Sequence, residues 1–285
     1  SSSRRPVANT LAPSLTKIST VRRPMPLVAP VTMVILPSIA RLLDQPCPSE
    51  SEGKETLAKD EASSQKGRSQ FGWYIRARKV LQWGGLSDGF DYYERQFGRS
   101  LELLNFWNAI DYPVSISTKG VWFSGDPRYQ EAFHNRGNVH LKSSIITLDP
   151  DKARKLERGV ATPEERFKML EWGLAQGVAA TTVRLRPFTL GVTCDYPYTA
   201  KSYQQLEAFV HRTKEAGCYS LTTEFLRLER RASNTAKERY RIIGEVSGIP
   251  NLYTFYNSRS INAGLMRLNY ELKRPFMEAL QELCA

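Results

Sequence analysis

Three segments of this chain begin as apolar strands and end in small or polar residues, and this pattern restricts the fold more than any other feature. They are Gln82–Asp88, Ser115–Gly120 and Leu141–Thr147. Parallel α/β sheets and barrels build their ligand sites from residues at the carboxyl ends of strands. The pattern therefore predicts a parallel sheet with a ligand site along one edge.

Strand and helix patterns alternate from Phe71 onward. Strands are predicted at 79–83, 113–118, 139–147, 178–185 and 218–223, and helices at 94–108, 126–134, 162–177, 202–216, 235–246 and 272–283. Thr162, Pro163 and Glu165 form a typical helix start. Repeated βα units with short connections predict a parallel sheet, and right-handed crossovers allow it to curl into a partial barrel.

The first 48 residues differ from the rest of the chain. They hold eight of the 16 prolines, and up to residue 43 they carry six Lys or Arg and no Asp or Glu. Because proline breaks both helices and strand ladders, we interpret 1–48 as a disordered or non-native leader, with an organellar transit peptide as the alternative. Residues 49–70 are interpreted as a polar linker and 71–285 as a partial barrel with a C-terminal helical extension.

Composition indicates which class of partner and which cellular compartment to expect for this chain. The net charge of +11 favours an anionic partner such as nucleic acid. The four cysteines (Cys47, Cys194, Cys218 and Cys284) form no C-x-x-C pair, which predicts a reduced, cytoplasmic protein. No stretch of 18 apolar residues exists, so no membrane span is expected, and the three histidines have no metal-ligand spacing.

Five residues at the first two strand ends are candidate ligand-binding groups. Gly84 and Gly85 allow a backbone to approach a ligand, or they form an ordinary tight turn. Ser87 and Asp88 can bind ribose hydroxyls or an amino group, or they cap the next helix. Lys119 can contact a carboxylate or phosphate, or it is a surface lysine.

Further candidates lie on the later strands and loops. Ser144 is either a core hydroxyl or a group facing the barrel axis. Arg184 and Arg186 lie on the same side of one strand; facing inward, they need an anionic partner, and facing outward they would lie beneath helices. Aromatic residues in the loops either stack on bases or pack over the barrel mouth: Tyr92, Tyr93, Trp122, Phe123, Tyr129, Tyr196, Tyr198 and Tyr203.

Four segments in this order resemble motifs of the radical SAM superfamily, in particular its spore photoproduct lyase-like (DNA repair photolyase-like) group. Tyr112–Lys119 resembles the PV-x-I-x-TK strand, and Ser144–Asp149 resembles the SI-x-TLD strand and loop. Lys155–Arg166 is similar to the LEP-x-x-x-SPEER helix entry, and Gly84–Asp88 to the G-x-x-SD turn. The similarity extends over roughly residues 71–225.

The resemblance implies a partial (β/α)6 TIM-like barrel that uses a [4Fe–4S] cluster and S-adenosylmethionine for radical, lyase-like chemistry, with nucleic acid as a possible substrate. It also implies roles for seven residues. Ser87 and Asp88 would contact S-adenosylmethionine, Lys119 its carboxylate, and Ser144 its ribose or methionine part. Gly84 and Gly85 would lie near the methionine moiety. Arg186 is also assigned to the cofactor site by the resemblance.

The chain departs from the family at the cluster. The family holds it through a C-x-x-x-C-x-x-C loop after the first strand, and this sequence contains no such motif. We therefore expect a barrel incomplete at its N-terminus, with the cluster segment missing or replaced, that binds no cluster and is inactive as written. The alternative is a non-catalytic basic module that binds a nucleotide or nucleic acid.

Overall fold

Five parallel strands form one sheet, and their spatial order β1-β2-β3-β4-β5 follows the sequence. A computed structural model describes residues 74, 77–85, 87–260 and 264–285; the predicted leader and linker (1–70) lie outside the described residues. β1 and β5 do not pair with each other, so the sheet stays open. The predicted α/β class and partial-barrel architecture are confirmed.

Helices connect each strand to the next, as a parallel sheet requires. The strands are β1 (Leu81–Trp83), β2 (Val114–Thr118), β3 (Val139–Ser144), β4 (Ala180–Phe188), β5 (Ser220–Phe225), β6 (Arg227–Glu229) and β7 (Leu265–Arg267). The helices are α1 (Glu94–Phe97), α2 (Arg99–Ala109), α3 (Pro127–Phe133), α4 (Pro150–Leu156), α5 (Pro163–Gln176), α6 (Ala200–Glu215), α7 (Asn234–Ser247), α8 (Leu252–Ser258) and α9 (Tyr270–Cys284). A 3₁₀ turn occupies Trp122–Gly125, and β6 and β7 form a separate antiparallel pair.

Local sequence signals explain where several helices begin and end. α5 starts with the predicted capping box, in which the Glu165 amide donates to Thr162 Oγ1 and the Thr162 amide donates to Glu165 Oε2 at 2.7 Å. The helix predicted over 94–108 is wrong as one element. Gly98 adopts a left-handed conformation (φ 63°), which ends α1 and forces a new helix to start at Arg99.

The core lies between the sheet and its helices. Every second residue of the central strands is fully buried, as with Ile116, Leu141 and Val183, and packs in one cluster with helix residues such as Phe167 and Leu206. The other residues of β3 are only half-buried. The helices therefore cover one face of the sheet, and on β3 the residues of the opposite face are less buried than those facing the helices. None of the helices in the described residues is long and apolar enough to cross a membrane.

Candidate functional site

The sheet face away from the helices is almost entirely polar. On β3 it presents His140, Lys142 and Ser144, and the strand register places Lys142 beside Thr182 and Ser144 beside Arg184 on β4. We call this surface the polar face. Its members are Gln82, Ser115, Ser117, His140, Lys142, Ser144, Thr182, Arg184, Arg186, Ser220, Thr222 and Glu224.

Hydrogen bonds between strands organise the amino-terminal half of the polar face. A ring nitrogen of His140 lies 2.7 Å from Thr182 Oγ1, which in turn lies 2.8 Å from Ser220 Oγ. Burial, with a smaller effect of the Lys142 charge, lowers the pKa of His140 to about 4. His140 is therefore neutral at physiological pH, so the positive charges of this face belong to Lys142, Arg184 and Arg186.

Gln82 fixes the first strand to its neighbour. Its amide nitrogen donates to Ser117 Oγ and to the Ser115 carbonyl, both at 3.0 Å. Its amide oxygen accepts a hydrogen bond from Lys142 Nζ at 3.3 Å. Ser115 itself is buried, and its hydroxyl has no hydrogen-bond partner among the described residues.

Two cations in the centre of the polar face lack a carboxylate partner. Within the described part of the chain, Lys142 Nζ is hydrogen-bonded to Gln82 alone, and the Arg184 side chain makes no hydrogen bond or ion pair. Burial, and then the charge of Arg184, lowers the pKa of Lys142 to about 8. Burial, and then the charge of Arg186, lowers the pKa of Arg184. Both groups are half-buried cations to which an anionic ligand would be complementary.

The carboxyl end of the polar face carries a paired cluster. Arg186 is hydrogen-bonded to Glu224, and the other Glu224 oxygen accepts from Arg227 Nη2 at 2.7 Å. Arg184 and Arg186 thus take the inward of the two orientations considered for them. Glu224 is the only carboxylate among the polar-face residues, and it is paired with both Arg186 and Arg227, whereas Lys142 and Arg184 have no such partner within the described residues.

The loop after β1 is tied to the end of β2. Asp88 accepts hydrogen bonds from the Thr118 hydroxyl and the Lys119 amide, both at 2.7 Å, and from the Phe90 amide at 3.0 Å. Gly84 has φ +80°, and a Cβ there would lie 1.9 Å from the Ser117 carbonyl oxygen. Only glycine fits this close approach, so Gly84 and Asp88 together fix the geometry of the first two strand ends.

Lys119 joins a second network that reaches β3. Its Nζ lies 2.6 Å from Glu157 Oε1, and Glu157 Oε2 lies 2.7 Å from Nη1 of the buried Arg166. Arg166 also donates to the carbonyls of Ser144 at 2.6 Å and Ala161 at 2.8 Å. A chain of charged contacts therefore connects the ends of β2 and β3 through the segment before α5.

The structure connects three of the seven predicted site residues near the carboxyl ends of β1, β2 and β3. Asp88, Lys119 and Ser144 are linked through the two networks above, Gly84 lies against β2, and Arg186 lies further along the polar face. Gly85 and Ser87 are exposed in the loop after β1. The proposed contacts of all seven residues with S-adenosylmethionine remain a prediction.

The prediction missed Gln82, His140, Lys142 and Thr182. Their signal was nevertheless present in the sequence. His140, Lys142 and Ser144 repeat with period two on β3, as Thr182, Arg184 and Arg186 do on β4. Two adjacent parallel strands with this period place their polar residues on a common face.

The predicted aromatic loop residues divide into two groups. Phe123 and Tyr129 are buried, and Trp122, Tyr196, Tyr198 and Tyr203 pack against the core. Tyr92 and Tyr93 are 78% and 63% exposed. Packing thus accounts for most of this set, while the two exposed tyrosines precede α1 on the surface.

The described residues do not fit an iron–sulfur cluster. Among them, no three His, Cys, Asp or Glu side chains come together as a metal site. Burial raises the pKa of Cys194 to about 12 and also raises that of Cys218, which disfavours the thiolate that a cluster ligand requires. Cys284 is exposed at the end of α9. We therefore derive no chemical step through a cluster.

Comparison with known proteins gives a likeness in structure alone. No family model and no curated protein matches the sequence. Three solved structures of spore photoproduct lyase match the fold, with TM-scores of 0.51, 0.52 and 0.51 and identities of 16%, 15% and 15%: a cysteine-to-serine mutant, a cysteine-to-alanine mutant, and a double mutant with bound AdoMet and dinucleoside spore photoproduct. Each match covers 80% of this chain and 63% of the lyase chain. The protein therefore shares its α/β fold with these lyase structures over the matched residues.

Proposed function

We propose that this chain binds the phosphate groups of a nucleic acid on the polar face of its partial barrel. The observation that carries the proposal is the pair of half-buried cations, Lys142 and Arg184, that lack a carboxylate partner in the described chain. A half-buried charge without a counter-charge costs free energy, and a bound phosphate would offset that cost.

Two further findings support a nucleic acid over a smaller anion. Lys142 and Arg184 lie on adjacent strands without a carboxylate partner in the described chain, so they provide two separate positions for the phosphates of a backbone, whereas Arg186 and Arg227 beyond them are paired with Glu224. The solved lyase complexes of the same fold contain dinucleoside spore photoproduct, which is a ligand of that protein.

Fluorescence anisotropy with a short labelled single-stranded DNA, titrated with the full chain at several salt concentrations, tests the proposal. We expect Lys142→Gln and Arg184→Gln each to weaken binding and to reduce the slope of log K against log salt by about 0.7 per lost phosphate contact. Lys168→Gln is the matched control, because it removes a lysine charge from the exposed surface of α5. Equal affinities and slopes for all four proteins, each shown to be folded by circular dichroism, would refute the proposal.

The second candidate function is binding of S-adenosylmethionine at the strand ends. The observation that favours it is the joined edge formed by Gly84, Asp88 and Lys119, the segment that resembles the radical SAM motifs. A lyase structure with the same fold contains bound AdoMet. The strand ends are less suited to this ligand, because Asp88 already accepts hydrogen bonds from Thr118 and Lys119, and Lys119 is paired with Glu157.

Calorimetric titration of the full chain with S-adenosylmethionine separates the two candidates. Saturable binding that Lys119→Ala weakens would favour the second candidate, with Lys168→Ala as the control. DNA binding that depends on salt and on Lys142, without any heat from S-adenosylmethionine, would favour the first. Iron and sulfide analysis after anaerobic reconstitution addresses the cluster separately, and a stoichiometric cluster would contradict the expectation that this chain binds none.

A further inference from the structure

We infer that Lys142 is a nucleophilic amine that forms a reversible imine with an aldehyde carrying an anionic group, and that Arg184 holds the anion. This inference concerns the same face as the proposed function and rests on it for the anion. It adds a covalent reaction that neither the resemblance nor the solved structures imply.

Placement is the first argument. Lys142 projects from the middle of β3 onto the polar face, away from the helices, and is half-buried there. Its only hydrogen bond in the described chain is to Gln82 Oε1 at 3.3 Å, and no carboxylate holds it as an ammonium ion. The amine is therefore held by one neutral partner and has no carboxylate beside it within the described residues.

The charged surroundings of Lys142 are the second argument. β1 and β2 face it with the uncharged Gln82 and Ser117, and β3 adds His140 two residues before it. β4 contributes Arg184, and the paired Arg186 and Glu224 lie further along the sheet. Burial and Arg184 lower the pKa of Lys142 to about 8. A larger fraction of the Lys142 side chains is then neutral near pH 7.5 than for an ordinary lysine.

Arg184 supplies the selectivity. Its guanidinium lies on the neighbouring strand, two residues beyond the position that pairs with Lys142, and has no ion pair within the described residues. A phosphate or carboxylate bound there would bring an attached carbonyl within reach of the amine.

The reaction needs no oxidant or metal. The nitrogen lone pair attacks the carbonyl carbon, and the C=O π electrons move to oxygen, which takes up a proton. The attacking nitrogen loses its first proton to give the neutral carbinolamine. Its hydroxyl takes up a second proton and leaves as water while the C=N bond forms, and the nitrogen then loses its second proton. The two protons taken up by oxygen thus balance the two lost by nitrogen. Addition of water reverses each step, so the adduct becomes permanent only when a hydride reagent reduces the imine.

Pyridoxal 5′-phosphate is a suitable probe, because it combines an aldehyde with a phosphate, and pyridoxal is its matched control without the anion. The full chain is incubated with either aldehyde, reduced with borohydride and analysed by peptide mass mapping. We expect the phosphate-bearing probe to label Lys142 at least about tenfold faster than pyridoxal, and faster than surface lysines such as Lys168. The labelling rate should level off above about pH 8, whereas that of exposed lysines continues to rise.

Two variants locate the effect. Lys142→Arg should abolish the selective label, and Lys168→Arg should leave it unchanged. Arg184→Gln should slow labelling by pyridoxal 5′-phosphate toward the rate seen with pyridoxal. Labelling spread evenly over surface lysines, or equal labelling of Lys142 by the two aldehydes, would overturn the inference. DNA binding measured on the same proteins distinguishes the two failures: DNA binding without selective labelling would overturn this inference alone, whereas loss of DNA binding would count against the proposed function.

Discussion

The buried imidazole of His140 should make the stability of this protein depend on pH below neutrality. Burial and the Lys142 charge lower the pKa of His140 from 6.5 to about 4. Above pH 6.5 the imidazole is neutral in both the folded and the unfolded chain. Between pH 6.5 and 4 the unfolded chain binds a proton that the folded protein excludes, so stability falls as the pH falls.

The size of this loss follows from the shift. Each pKa unit corresponds to 1.36 kcal/mol, so a depression of about 2.5 units removes about 3 kcal/mol of unfolding free energy by pH 4. Glutamine at position 140 cannot titrate and can still hydrogen-bond to Thr182. Between pH 7 and 4 the wild type should therefore lose about 3 kcal/mol more unfolding free energy than His140→Gln.

Urea denaturation at half-unit pH intervals measures this difference directly. His211→Gln, on the exposed surface of α6, is the matched control for loss of an imidazole outside the polar face. Lys142→Gln tests the smaller of the two causes and should reduce the loss without removing it. Parallel pH profiles for wild type and His140→Gln would refute the argument, because they would show that His140 titrates alike in the folded and unfolded states.

Three further changes test the supports of the strand ends by urea denaturation. Gly84→Ala should destabilise the protein by about 2 kcal/mol or more, because its Cβ would meet the Ser117 carbonyl. Gly98→Ala is the control: it is also at positive φ but has open space around it, and it should cost about 1 kcal/mol. Equal losses would contradict the close approach of Gly84 to Ser117. Arg166→Met should cost about 3 kcal/mol, because Glu157 keeps Lys119 but loses its buried partner and the carbonyls of Ser144 and Ala161 lose their donor. The double variant Glu157→Gln/Arg166→Met should recover part of this loss, and additive effects of the two changes would argue against the pair. Thr162→Ala should lower the unfolding free energy by about 1 kcal/mol, because it removes the capping hydroxyl, and Thr162→Ser should change it very little. An unchanged stability in both variants would contradict the role of Thr162 as a cap.

Most of the sheet could be predicted because its signals are local. Each strand is a short apolar run, and Thr162 and Pro163 predict the start of α5. The prediction of a single helix over 94–108 was wrong because the apolar residues keep a helical spacing across Gly98, whereas the backbone at Gly98 is left-handed and interrupts the helix. The pair β6–β7 was missed because each strand has three residues, too few for any period to register.

The strand-end loops could be predicted for the same reason, but the charge distribution of the polar face could not. Arg186 was recognised as needing an anion, yet its partner Glu224 lies 38 residues further along the chain. Only the pairing register of β4 with β5 brings the two together. Lys142 became significant once β3 was known to lie beside the strand that carries Arg184, since neither residue alone indicates a site.

Lys142 and Arg184 should lower the stability of the ligand-free protein. This effect can be tested without knowing which ligand the protein binds. Lys142 and Arg184 are half-buried without a carboxylate in the described chain, so their replacement by methionine should stabilise the free protein by on the order of 1 kcal/mol, discounted for solvent screening. The same double variant should lose the stabilisation that a polyanion such as heparin or single-stranded DNA gives the wild type, since a ligand stabilises only the state that binds it. Lys168→Met, on the exposed face of α5, is the control and should change neither quantity. A double variant that is less stable than wild type and still stabilised by polyanions would show that the two cations serve packing rather than binding.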